Sequence, residues 1–202
     1  MQLIKYICLI GVFVFVVSCT NDSTNNKNIV TTKGIPTINV EKSYLKLNQV
    51  KGQWFYKDQP FNGYAITYHE NDSLAEKTGF INGKREGISY AYYSNGTIKK
   101  EAAYKENKLH GLKTNYFRNG KIVSEFNYEK GKLHGVQKTW FPNGQLAKKR
   151  SLNLGQEEGI QQAWLENGKL YVNYEAKNGR IFGMQRATSC YKLEDEVVIK
   201  TN

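Results

Sequence analysis

Residues Lys108–Ile122 read "KLHGLKTNYFRNGKI", and Lys132–Leu146 read "KLHGVQKTWFPNGQL". The second stretch nearly repeats the first, 24 positions downstream. Rows of 24 residues beginning at Tyr56, Phe80, Tyr104, Tyr128, Leu152 and Ala176 bring this pattern into register over most of the chain. Gly63, Gly87, Gly111, Gly135, Gly159 and Gly183 then form one unbroken column. Asn95-Gly96, Asn119-Gly120, Asn143-Gly144 and Asn167-Gly168 form another, with Asn71-Asp72 as the variant in the first row. Tyr68, Tyr92, Tyr116, Trp140 and Trp164 run beside it. A fixed period of this size marks a repeat array, in which each unit buries its apolar face against its neighbours.

The unit is read from its turns. Asn-Gly accepts positive φ at low cost and marks a tight hairpin turn. A second turn falls between successive Asn-Gly pairs, at Asn82-Gly83, Asn107-Lys108, Gly131-Lys132, Gly155-Gln156 and Asn178-Gly179. Two turns in 24 residues leave two strands of about six residues, and the residues between turns alternate with period two. In the third row Leu112, Thr114 and Tyr116 share one face, and Ile122, Phe126 and Tyr128 share a face of the next strand. Lys113, Asn115, Glu125 and Asn127 take the opposite face. No helical period competes between residues 56 and 183.

The expected fold class is all-β: an elongated single-layer antiparallel meander of about six 24-residue β-hairpin repeats. At a strand spacing of about 4.8 Å the array spans roughly 60 Å. Its repeats fall at about 56–79, 80–103, 104–127, 128–151 and 152–175, with 176–202 as a divergent cap, all within a folded region of 41–202. The recurring pattern Gly-x₄-[Tyr/Trp]-[Phe/Tyr/Leu]-x-Asn-Gly-x-[Leu/Ile], over residues 54–183, resembles the variant MORN repeat of bacterial proteins, often catalogued as YwqK-type antitoxins. The resemblance implies a hairpin array, and an antitoxin-like role is one reading it brings. The eukaryotic MORN unit is a residue shorter and opens with Tyr-x-Gly, so lipid binding by those members does not carry over.

The N-terminus has a different composition. Lys5 precedes an unbroken apolar run of 12 residues, Tyr6–Val17. A membrane-spanning helix needs about 20 residues, whereas a secretory h-region needs 7–15. The run ends in Val16-Val17-Ser18-Cys19, which resembles the lipobox of bacterial lipoproteins. The resemblance implies cleavage after residue 18 and a lipid on the Cys19 thiol; an ordinary signal peptide is the alternative. Residues 19–40 open with a polar, Asn- and Thr-rich stretch and read as a flexible tether. With Cys8 lost and Cys19 acylated, Cys190 stays single and no intramolecular disulfide forms. The implied location is the bacterial cell envelope, at the outer membrane if the cell is Gram-negative.

No nucleophile elbow, zinc-protease helix or phosphate loop occurs, so the chain is expected not to be an enzyme and to use no cofactor. His110 and His134 stand before the glycine column, with Glu86 and Glu158 in equivalent rows. Neighbouring rows lie about 10 Å apart, too far for residues of four rows to meet one ion at about 2.1 Å. They are therefore read as polar residues entering a strand, with no metal site. Glu101 and Glu125, beside Lys99 and Lys121, suggest cross-strand ion pairs.

The net charge is +11, and residues 97–150 hold 13 Lys and Arg against 4 Glu, or 13 − 4 = +9. An export signal argues against nucleic acid as the partner. Anionic envelope components or acidic proteins remain, against the alternative of a solubilising surface. Ile88, Leu112, Val136 and Ile160 share a face with Tyr92, Tyr116, Trp140 and Trp164. Either these side chains cover one another, or they line a groove open to a partner. The expected binding residues are these four rings with Lys148, Lys149 and Arg150, and the expected function is a lipid-anchored, non-catalytic binding or scaffolding surface. An immunity protein that neutralises an envelope toxin is the alternative.

Overall fold

A computed structural model describes residues 34–183. The chain forms an elongated, almost wholly antiparallel sheet. Its N-terminal part is β1 (Asn39–Glu41), a 3₁₀ turn (Lys42–Tyr44), β2 (Lys46–Asn48), β3 (Gln53–Tyr56) and β4 (Gln59–Pro60). Then follow β5 (Gly63–Tyr68), β6 (Leu74–Ile81), β7 (Lys84–Arg85), β8 (Gly87–Tyr92), β9 (Ile98–Lys105) and β10 (Lys108–Tyr116). The remainder is β11 (Ile122–Glu129), β12 (Lys132–Leu133), β13 (Gly135–Trp140), β14 (Leu146–Asn153), β15 (Gln156–Trp164), β16 (Leu170–Lys177) and β17 (Arg180–Phe182). From β5 onward, strand order along the sheet follows chain order. Two departures from a simple meander lie at the N-terminal end. β1 pairs with β5 in parallel, and β2–β3–β4 form a separate three-stranded sheet.

The two turn columns are different devices. At the Asn-Gly edge, Tyr93 N–H donates to the Thr97 carbonyl at 2.8 Å and Gly96 N–H donates to the Tyr93 carbonyl at 2.8 Å. This is a three-residue loop whose last residue, Gly96, is left-handed at φ 82°. The asparagine acts through its side chain: Asn95 Oδ1 accepts the Thr97 N–H, and Asn119, Asn143 and Asn167 repeat this contact. Asp72 takes the glycine position in the first row at φ 58°. At the other edge two consecutive residues are left-handed, as a type I′ hairpin requires. These are Asn82-Gly83, Glu106-Asn107, Lys130-Gly131, Leu154-Gly155 and Asn178-Gly179. Three of these turns sit one residue earlier than the sequence suggests, because Glu, Lys and Leu give no turn signal.

Irregularities recur in the strands. The pairing of β6 runs from Phe80↔Arg85 to Lys77↔Tyr90, so Glu86 and Gly87 are two additional residues on one strand. The same slip occurs between Leu109 and Lys113. The glycine column sits at these kinks and has positive φ throughout. At Gly63 backbone proximity adds to the requirement, since a Cβ would lie 2.6 Å from the Ile38 carbonyl oxygen. A second irregularity is a one-residue bulge opposite the aromatic column. Asn115 pairs with Ser124, but Tyr116 pairs with Ile122, leaving Val123 extra. The other four hairpins slip at Tyr68, Tyr92, Trp140 and Trp164.

That bulge corrects the assignment of faces, because a slip of one residue exchanges the faces of a strand. Ile122 stays with Tyr116, but Phe126 pairs with Lys113 and does not share its face. Glu125 and Asn127 pair with Thr114 and Leu112. The front face therefore holds Leu112, Thr114, Tyr116, Ile122, Glu125 and Asn127. The back face holds Lys113, Asn115, Ser124 and Phe126. Most buried residues of the array belong to the back face, including Phe80, Ala102, Ser124, Gln137, Leu152 and Gln161. The densest apolar packing is at its N-terminal end. There Val40, Leu45, Phe61, Ala65 and Phe80 cluster, with Trp54 and Tyr56 packed against them. The small sheet thus shields one end of a face the meander leaves open.

Candidate binding surface

The front face consists of two apolar rows flanking a polar one. One outer row is the aromatic column, each ring opposite an aliphatic residue: Tyr92↔Ile98, Tyr116↔Ile122, Trp140↔Leu146 and Trp164↔Leu170. All four predicted rings are half-buried, so each is partly covered and partly available. The other outer row contains Ile88, Leu112, Val136 and Ile160, and Val136 is 37% exposed. Between them runs a charged row that changes sign along the array. Glu101 and Glu125 lie at its middle, and Lys138 and Lys149 lie further on. Glu101 accepts a hydrogen bond from the Tyr116 hydroxyl at 3.1 Å. Burial, then the charge of Glu101, pushes the Tyr116 pKa up. Glu101 and Glu125 are in no ion pair with Lys99 or Lys121 among the described residues.

Lys138 and Lys149 are direct cross-strand partners. Like charges at this position repel, and only Lys138 has an acid, Glu125, opposite on its other side. The three predicted cations do not share one face. Lys149 lies on the front with Trp140, while Lys148 and Arg150 lie on the back. Arg150 has a partner there. Its Nη2 donates to Glu157 Oε1 at 2.7 Å, and the Tyr174 hydroxyl donates to Glu157 Oε2 at 2.7 Å. The Tyr174 bond, with the Arg150 contact, holds the Glu157 carboxyl below the usual range despite its partial burial. Burial and the Glu157 contact push Tyr174 up to about 12.

The residues before the glycine column have a structural role that sequence spacing did not reveal. Each faces the type I′ turn of the next hairpin, 20 residues on. Asn62 Oδ1 accepts the Asn82 N–H at 2.8 Å, and Glu86 Oε2 accepts the Glu106 N–H at 3.0 Å. His110 Nδ1 accepts the Lys130 N–H at 3.5 Å, and Glu158 Oε2 accepts the Asn178 N–H at 3.3 Å. His134 occupies the same column, yet its buried Nδ1 has no hydrogen-bond partner. Among the described residues no group of three or more His, Cys, Asp or Glu is placed to hold a metal ion. A backbone ladder runs alongside these caps: Gly83, Asn107, Gly131 and Gly155 donate to the carbonyls of Phe61, Arg85, Leu109 and Leu133.

The model of the MORN repeat variant matches residues 85–106, 109–130 and 133–153. A MORN-like repeat domain covers this part of the chain. No curated protein matches the chain. The matched segments are hairpins closed by the turn types described above. Cys19 and the residues before it lie outside the described residues, as does Cys190. No helix among the described residues is long and apolar enough to cross a membrane.

Proposed function

We propose that the chain is a lipid-anchored envelope protein whose six 24-residue hairpin units form a non-catalytic binding surface for an anionic envelope component or an acidic protein. The observation that supports this best is the like-charge pair Lys138 and Lys149 beside Trp140 on one face. Such an arrangement costs stability in the free protein and is relieved by a bound anion. A half-buried ring next to unneutralised charge supplies contact area as well as attraction. The lipobox at Val16–Cys19 supports anchoring through Cys19. An antitoxin-like immunity role uses the same surface against an acidic toxin.

The test is capture from solubilised envelope by the immobilised chain at low and high salt. Lys138→Gln with Lys149→Gln should reduce capture mainly at low salt, and Trp140→Ala should reduce it at both. Capture equal to that of the unaltered chain in both variants contradicts the proposal. Cys19→Ala should separately abolish acylation, and a lipid-bearing Ala variant contradicts the anchor.

A further inference from the structure

The back face has a feature that the proposed binding surface does not use. Where the small N-terminal sheet meets the array, a cavity of about 180 Å³ opens between Trp54, Phe80 and Tyr104. On this measure a single water needs only about 10–15 Å³, so the space admits a single small ring. Its walls carry three cations, Lys42, Arg85 and Lys100, against one acid, Glu76. Lys42 Nζ lies 3.5 Å from Glu76, which leaves Arg85 and Lys100 as the excess charge. Arg85 is held over the Tyr104 ring, 5.2 Å from its centroid. Lys100 has a further cation nearby, Lys113, whose pKa is lowered by burial and then by Lys100.

The neutral lining is specific too. Thr78 and Ser89 share one hydrogen bond of 2.7 Å between their hydroxyls, which leaves a second hydroxyl proton of the pair to be donated. Aromatic walls with hydroxyl groups, one carboxylate and excess positive charge match a hydroxylated ring that carries an anionic group. We infer that the cavity between Trp54, Arg85 and Lys100 binds an acidic monosaccharide, a pyranose ring bearing a carboxylate or phosphate. Trp54 takes the C–H face of the ring, since Phe80 is buried and Arg85 lies over the Tyr104 ring. Glu76 and the Thr78–Ser89 pair take its hydroxyls, and Arg85 and Lys100 take the acid group.

Calorimetric titration of the full chain tests this with glucuronate, galacturonate and glucose 6-phosphate, and with glucose and acetate as half-ligands. At least one sugar acid should bind saturably, and both half-ligands should bind at least tenfold more weakly. Lys100→Gln should weaken the sugar acid about tenfold with an unchanged circular dichroism spectrum. Lys149→Gln, on the opposite face, should leave it unaltered. Absence of saturable binding by all three sugar acids overturns the inference. So does acetate binding as tightly as the sugar acids, or Lys100→Gln binding like the unaltered chain.

Discussion

Gln137 grips the backbone of Asn127 at both of its polar groups: Oε1 accepts the Asn127 N–H at 2.9 Å and Nε2 donates to the Asn127 carbonyl at 3.2 Å. The same Nε2 reaches the carbonyls of His134 and Gly135. A side chain here replaces the ladder bonds that the kink at His134 and Gly135 interrupts. Gln161 repeats the donor half of this role one hairpin later, its Nε2 donating to the carbonyls of Ser151 and Gly159. Both glutamines are buried.

Removing such a side chain strands buried backbone groups as well as deleting contacts. Leaving a buried donor or acceptor unsatisfied costs about 1–3 kcal/mol. Gln137→Ala should therefore lower stability by about 2–3 kcal/mol in urea unfolding. An exposed neighbour such as Lys148→Ala should change it by less than about 0.5 kcal/mol. Equal effects would refute the bridging role.

Leu154 points to a stabilising change. It has φ 49° in the type I′ turn, and its side chain is 48% exposed. A left-handed conformation costs most residues about 1–2 kcal/mol, and Asn tolerates it better. Leu154→Asn should raise stability by about 1 kcal/mol, read as a higher urea midpoint with unchanged slope. Asn82 and Asn178 already occupy this turn position in other rows.

The Arg150–Glu157–Tyr174 cluster predicts how stability depends on pH. Glu157 titrates below the usual carboxylate range when folded, so its contribution is present above the ordinary value of about 4.3. That contribution is lost as pH falls through the depressed folded value. Tyr174 is raised to about 12, so its contribution is present below the ordinary value of about 10 and lost as pH climbs towards 12. Glu157→Gln should flatten the acid limb of a plot of unfolding midpoint against pH. An unchanged limb would show that the cluster does not govern it.

The period, the two turn edges and the glycine column were legible because each rests on backbone conformations that few residues tolerate. The membership of the front aromatic row was legible for the same reason, since it lies at a fixed distance from the Asn-Gly turn. The parity of the second strand was not. Val123 looks like any strand residue, and the bulge that makes it extra exists only in the pairing with Tyr116. The caps at Glu86 and His110 were hidden likewise, because their partners lie 20 residues away on the next hairpin. The separate sheet of Lys46–Pro60 carried no repeat signature to announce it. Lys148, Lys149 and Arg150 are adjacent in sequence, and strand alternation divides them between the two faces.

The most direct test of the repeat account is a pair of deletions compared by circular dichroism and urea unfolding. Removing residues 104–127 deletes one 24-residue unit and restores the Gly, Asn-Gly and aromatic columns across the junction. Nearest-neighbour packing predicts a folded, shorter array with a cooperative transition. Removing residues 104–115 deletes one strand of an up-down pair and reverses the chain direction downstream, which should abolish that transition. Equal damage from the two deletions would contradict the 24-residue hairpin as the unit of this fold.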